Sequence, residues 1–105
     1  MANYTFSKTK RGCLSLDFHD YDYWESVEEI LELLKCTFNV KLIKELDGPA
    51  TRYRKIEIED IFLNLHYTSY GSFLDAEDKR GNELLRKIKT MLEKTDINDL
   101  DNGTD

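Results

Sequence analysis

Between Asp17 and Glu32 the chain carries seven carboxylates, Asp17, Asp20, Asp22, Glu25, Glu28, Glu29 and Glu32, with no Lys or Arg among them and with Tyr21, Tyr23 and Trp24 interspersed. Concentrated negative charge beside large flat side chains suits capture of a cationic protein surface. The carboxylates steer the partner in, and the rings supply contact area that the partner buries. The same charge repels nucleic acid. Asp20, Tyr21, Asp22, Tyr23, Glu25, Glu28, Glu29 and Glu32 are therefore the candidate partner-binding residues.

Groups that do covalent or proton-transfer chemistry are sparse. His19 lies between Asp17 and Asp20, an arrangement able to hold an imidazole in one tautomer, and His66 falls in a stretch of strand-like alternation. Neither sits in a nucleophile elbow or near a recognisable triad, so no catalytic residue is assigned and the chain is not expected to be an enzyme. Cys13, Cys36, His19 and His66 are permitted metal ligands, but no pair has zinc-site spacing. Gly48 and Gly71 are single turn glycines and form no phosphate loop. No cofactor and no metal are expected.

The acidic segment must be positioned by a helix. Trp24, Val27, Ile30, Leu31, Leu34 and Phe38 recur at helical spacing, and Asp22 followed by Glu25 resembles a capping box, which predicts a helix from about Asp22 to Cys36. At 100° per residue, Glu25, Glu28, Glu29 and Glu32 fall within an arc of roughly 100° opposite that apolar stripe. Like charges at this spacing oppose the helix by about 0.2–0.5 kcal/mol per pair. The periodicity places Trp24 in the buried stripe and leaves Tyr21 and Tyr23 for exposed contacts. A plainer account of the acidic face is solvation, or pairing with a basic second helix bearing Arg86, Lys87, Lys89 and Lys94.

Around this helix the pattern alternates. Tyr4 to Phe6 and Cys13 to Phe18 predict a hairpin across the basic turn from Lys8 to Gly12. Asn39 to Leu46 predicts a strand that ends at Asp47-Gly48-Pro49. Ile56 and Ile58, then Ile61, Leu63, Leu65 and Tyr67, predict two strands joined by a tight turn at Glu59-Asp60, although that pair lacks the usual glycine. Ser72 to Ala76 makes a last strand, and Asp78 caps a second helix with its stripe at Leu84, Leu85, Ile88, Met91 and Leu92, ending near Lys94. The order is ββαββββα: an α+β fold with an antiparallel sheet of five to six strands and both helices on one face. One domain is expected over 1–94, followed by an acidic mobile tail over 95–105.

If Ile61, Leu63 and Leu65 face the helices, Tyr53, Phe62 and His66 face the other side of the sheet and form an alternative site. Basic residues at Lys35, Lys41, Lys44, Arg52, Arg54 and Lys55 read as solvated guards of strand edges.

The 105 residues hold 21 acidic against 15 basic side chains, a net charge of −6, which argues against general binding of nucleic acid or anionic membranes. No apolar run approaches the ~18 residues of a membrane-spanning helix, and the first residues lack the apolar centre of a signal peptide, so cytoplasmic residence is expected.

The run Leu46 to Arg52 (Leu-Asp-Gly-Pro-Ala-Thr-Arg), the stretch Leu65 to Gly71, and Ala76-Glu77-Asp78 leading into Leu84-Leu85 resemble a loosely defined group of small bacterial α+β proteins without assigned chemistry. In size, acidity and architecture the chain also resembles immunity proteins of bacterial toxin systems, including contact-dependent growth inhibition. That second resemblance implies a non-catalytic inhibitor whose partner is a basic protein, a cognate toxin such as a nuclease, with no nucleic acid or membrane bound directly. It transfers no residue roles. Two further readings stand beside it: an adaptor or regulatory module acting through Tyr53, Phe62 and His66, and a small enzyme built on His19 or His66.

Overall fold

The computed structural model describes residues 4–10, 12–19 and 21–103, with side chains described up to Lys94. The elements are β1 (Tyr4–Lys8), β2 (Leu14–Phe18), α1 (Ser26–Thr37), β3 (Val40–Asp47), β4 (Arg52–Ile58), β5 (Ile61–Thr68), β6 (Gly71–Ala76) and α2 (Arg80–Gly103). The six strands form one antiparallel sheet in the order β1-β2-β6-β5-β4-β3. The fold is α+β with the expected order ββαββββα. Among the described residues no helix is long and apolar enough to cross a membrane.

Strand alternation separates the two faces of the sheet. Leu16, Phe18, Ile56, Ile58, Leu63, Leu65, Leu74 and Ala76 join Val27, Ile30, Leu31 and Leu34 of α1 and Leu84, Leu85, Ile88 and Leu92 of α2 in one buried cluster. At about 25 cal/mol per Å² of apolar surface removed from water, this one-sided core is the main source of stability. At Gly81 α2 approaches the sheet closely: a Cβ there would lie 2.5 Å from the Ala76 Cβ and 3.3 Å from Leu63 Cδ2. The Asp78 carboxylate accepts the Arg80 N–H at 2.9 Å and so caps the start of α2, as expected. The Asn82 side chain then accepts the Leu14 N–H at 2.8 Å, tying α2 to β2.

The Glu59-Asp60 turn joins β4 to β5 without glycine. Both residues take positive φ, 54° and 65°, as a two-residue primed turn requires, and Ile58 pairs directly with Ile61 across it. L-residues adopt this region at a cost of roughly 1–2 kcal/mol each.

Two helix boundaries differ from expectation. α1 begins at Ser26, because Tyr21 to Glu25 form a loop and turn in which the Ser26 N–H donates to the Tyr23 carbonyl at 3.0 Å. The Asp22/Glu25 capping box does not form; Glu25 occupies the cap position without a side-chain bond. α2 runs to Gly103, beyond the expected end at Lys94. No proline or glycine interrupts the chain between Gly81 and Gly103, so nothing in its backbone chemistry stops the helix earlier. The mobility expected for 95–105 concerns residues whose side chains lie outside those described.

Candidate partner-binding surfaces

α1 leans on the sheet through Val27, Ile30, Leu31 and Leu34 and turns Glu25, Glu28, Glu29 and Glu32 outward. Their environments differ. Glu28 meets Arg52, which reaches from β4 beneath the helix and forks onto both carboxylate oxygens. The Arg52 bond holds the Glu28 carboxyl below its ordinary 4.5. Glu32 lies 3.8 Å from Lys35, one turn along the same helix. Glu29 accepts the phenol O–H of Tyr23. That hydrogen bond, with burial and the Glu29 charge, pushes the Tyr23 phenol up to about 12. Glu25 remains exposed.

Arg52 and Arg54 depart most from the sequence reading. Expected as solvated edge guards, both are buried. Arg52 also donates to the Trp24 carbonyl at 3.0 Å and to Asp47 at 3.2 Å. Arg54 binds Asp47 at 2.7 Å and Glu45 at 3.4 Å. These bonds hold the Asp47 carboxyl below its ordinary 3.8, the Arg54 bond most of all. On β4 the two arginines alternate in phase with Ile56 and Ile58, so they point to the helix side of the sheet, and acids of β3 and α1 supply the charge their burial demands. Among the described residues no basic side chain of α2 forms an ion pair with α1: Arg86 binds Glu83 and Lys89 binds Glu93 within their own helix.

The aromatic residues also rearrange. Trp24, expected in the buried stripe, is 39% exposed, because the helix has not begun at this position and its periodicity does not apply. Its ring packs edge-on to Tyr67 with centroids 6.0 Å apart and lies under the Arg52 guanidinium. Tyr21, expected to be exposed, is half-buried edge-on to Phe18 and stacks with Tyr23, which is 38% exposed. Asp22 is exposed, and Asp20 lies outside the described residues. Together Tyr21, Leu33 and Cys36 floor a shallow groove of about 420 Å³ rimmed by Glu28, Glu29 and Glu32.

On the opposite face of the sheet, strand register lines up Leu46, Tyr53, His66, Phe73, Asp17 and Thr5 in one row across all six strands. The predicted Tyr53 and His66 are neighbours in this row, centroids 5.2 Å apart, and His66 stacks on Phe73 at 4.7 Å. Phe62 lies four residues along β5 from His66, covered by the Lys55 ammonium 4.8 Å from its centroid. Sequence reasoning missed Phe73, Asp75 and Leu46 because a strand's alternation tells which face a residue takes but not which strand lies beside it. His66 Nε2 lies 3.4 Å from Asp75, the Tyr53 hydroxyl donates to Asn64 at 2.6 Å, and burial pushes the Tyr53 phenol up. A cavity of about 420 Å³ here is lined by Lys10, Tyr53, Asn64, His66, Asp75 and Glu77. Its charges are largely matched, since Lys55 binds Glu77 at 3.0 Å.

His19, just beyond the end of β2, hydrogen-bonds Oγ1 of Thr5, the β1 member of this row, at 2.6 Å. Cys13 is buried, Cys36 is exposed, and both are free thiols. Among the described residues no group of three or more His, Cys, Asp or Glu side chains is arranged to hold a metal ion.

Comparison with protein-family models, with curated proteins and with solved structures found no match to this chain. The functional reading therefore rests on the geometry of these surfaces.

Proposed function

We propose that this protein is a binding module that captures a basic polypeptide through the outer face of α1, and that it does so as an inhibitor of the immunity type, occluding a cationic toxin. The observation that carries the reading is the α1 groove: an apolar floor of Tyr21, Leu33 and Cys36 inside a rim of carboxylates. Exposed Glu25, Glu29 and Glu32 provide long-range attraction, while the apolar floor and the neighbouring Tyr23 provide area to bury. Glu28 is committed to Arg52 and acts as a strut of the fold; its contribution to steering is small. The resemblance to immunity proteins supplies the inhibitory role, and the acidic rim supplies the sign of the partner's charge.

The test pairs the protein with the polypeptide encoded by the reading frame immediately upstream. Co-expression is expected to relieve that polypeptide's toxicity. Changing Glu25, Glu29 and Glu32 together to Gln should lower the association rate about tenfold and flatten its salt dependence, with the fold intact. An unchanged association rate in that variant overturns the reading.

A further inference from the structure

Both helices pack on one side of the sheet, and among the described residues no helix covers the other side. That bare face changes in side-chain length from one end of the sheet to the other. Beside the row from Leu46 to Thr5 runs a second row of strand partners: Lys44, Lys55, Asn64, Asp75, Ser15 and Ser7. On β3 and β4 the two rows carry Lys44, Leu46, Tyr53 and Lys55, all long. On β1 and β2 they carry Thr5, Ser7, Ser15 and Asp17, all short. One half of the face is therefore a ridge and the other a shelf. At the end of the shelf, Asp17 and Phe73 join His19 and Tyr70 in lining a cleft of about 350 Å³.

Charge follows the same divide. The ridge carries Lys41, Lys44 and Lys55 against one acid, Glu57, whereas β6 and β2 bring Asp75 and Asp17. The exception on the acidic half is Lys10, in the turn between β1 and β2. Among the described residues Lys41, Lys44 and Asp17 form no ion pair.

Such a surface complements itself under one operation. The strand order β1-β2-β6-β5-β4-β3 puts the middle of the sheet between β6 and β5. A two-fold axis lying in the face and running along the strands there sets β5 over β6, β4 over β2 and β3 over β1 of a second copy. The ridge then lies over the shelf, and Lys44 falls diagonal to Asp17 of the second copy. Glu57 falls over the turn that holds Lys10, so the two exceptions also meet. At the axis the His66 and Phe73 rings, stacked within each copy at 4.7 Å, face their counterparts. An in-plane axis across the strands would instead stack β3 on β3 and set lysines against lysines, so charge selects the first. Tilting that axis by about 15° gives the crossing of about −30° usual for packed sheets.

We propose that the bare face of the sheet binds a second copy of this chain across that two-fold axis, forming a symmetric back-to-back dimer. Six strands ~4.8 Å apart with about five residues each offer roughly 500 Å² per copy, roughly 1,000 Å² in all, at the low end for a specific interface. The dimer is therefore reversible, with a dissociation constant of roughly 10–100 µM. The outer surface of α1 stays free on both copies, since it lies on the other side of the sheet. The dimer stands or falls independently of the partner proposed for that surface.

Sedimentation velocity of the full chain between about 1 and 500 µM measures it, with amide NMR shifts followed on dilution. The expected result is a monomer–dimer equilibrium, with dilution shifts at Asn64, His66 and Phe73. Lys44→Glu and Asp17→Lys should each weaken it about fivefold, because each turns two intermolecular attractions into repulsions. The two changes in one chain should restore it to within about twofold, because the swapped charges again oppose each other. Lys87→Glu alters net charge as much as Lys44→Glu but lies on the helix side, and should leave the constant within about twofold. A chain that stays monomeric throughout overturns the proposal, as does a dimer indifferent to both single changes. A double variant that stays weakened overturns it, and so does a Lys87→Glu variant weakened as much as Lys44→Glu. Dilution shifts confined to Lys41 to Asp47 also overturn it, in favour of pairing through the free edge of β3. None of these outcomes depends on Glu25, Glu29 or Glu32.

Discussion

The guanidinium of Arg52 lies over the indole of Trp24, 4.8 Å from the ring centroid, and bonds the carbonyl of the same residue. One buried side chain thus sets both the ring and the backbone of the loop that leads into α1. Replacing it with Met keeps an unbranched apolar stem, shorter than that of Arg, and removes every one of these bonds together with the fork to Glu28. Arg52→Met is expected to lower stability by about 2–4 kcal/mol, the range for breaking a buried, hydrogen-bonded charge. The measurements are the urea midpoint and Trp24 fluorescence, which should shift to the red. Arg52→Lys should fall between, because an ammonium cannot serve the Trp24 carbonyl and two carboxylates with the same geometry.

Acid should loosen the same junction. The carboxyls of Glu28 and Asp47 are held below their ordinary 4.5 and 3.8, in each case chiefly by an arginine hydrogen bond. In the unfolded chain they bind protons at higher pH than in the folded one, so their contribution to stability is complete above those ordinary values and disappears as pH falls through the lowered ones. Denaturant midpoints measured from pH 6 down to pH 2.5 should decline below about 4.5. Glu28→Gln should make that decline shallower. A wild-type midpoint that stays flat over this window would contradict the Arg52 clamp.

At the alkaline end Tyr23 provides a spectroscopic check on the α1 surface. Its phenol is pushed up to about 12, mainly by donating to Glu29. The raised value means that the hydrogen bond is fully present below the ordinary tyrosine range and is lost as pH rises through about 12. In a Tyr53→Phe background, which removes the other phenol that burial pushes up, phenolate absorbance should show Tyr23 titrating late. Glu29→Gln should return it towards 10, the ordinary value. Late titration that persists in Glu29→Gln would mean that a different contact holds the proton.

Much of the fold was legible because its elements are separated by clear changes of period. The switch from alternation at Leu14 to Phe18 to helical spacing at Val27, Ile30 and Leu34 announced α1, and Asp47-Gly48-Pro49 announced the end of β3. The turn at Glu59-Asp60 was legible from its flanking isoleucines despite its unusual residues. Trp24 misled because it stands three residues before Val27, a helical spacing, while its backbone belongs to a turn. Arg52 and Arg54 were opaque for another reason: burial of a cation depends on acids from β3 and α1, which only the folded chain brings near. On the candidate surfaces, the outward set Glu25, Glu29 and Glu32 was readable from helical phase. The cleft lined by His19 and Tyr70 was not, since its walls come from two segments far apart in the sequence.

Gly81 offers a test of packing with an unusual sign. In an exposed helix, Gly to Ala stabilises by about 1 kcal/mol. Here the added methyl would meet the Ala76 Cβ at 2.5 Å and the Ala76 Cα at 3.3 Å. Gly81→Ala is therefore expected to destabilise by about 1–3 kcal/mol, the range for overpacking. Thermal unfolding should show a lower midpoint, and the reverse shift would mean that α2 can slide off β6 without loss.

The placement of β2 between β1 and β6 carries a consequence for biosynthesis. As the nascent polypeptide leaves the ribosome, the β2 edge of the β1–β2 hairpin has no neighbour to satisfy it until β6 emerges, long afterwards. Ser15 to Phe18 must wait for Ser72 to Asp75. Asp17 and Tyr70, which line one cleft in the folded protein, therefore come together only when β2 and β6 pair.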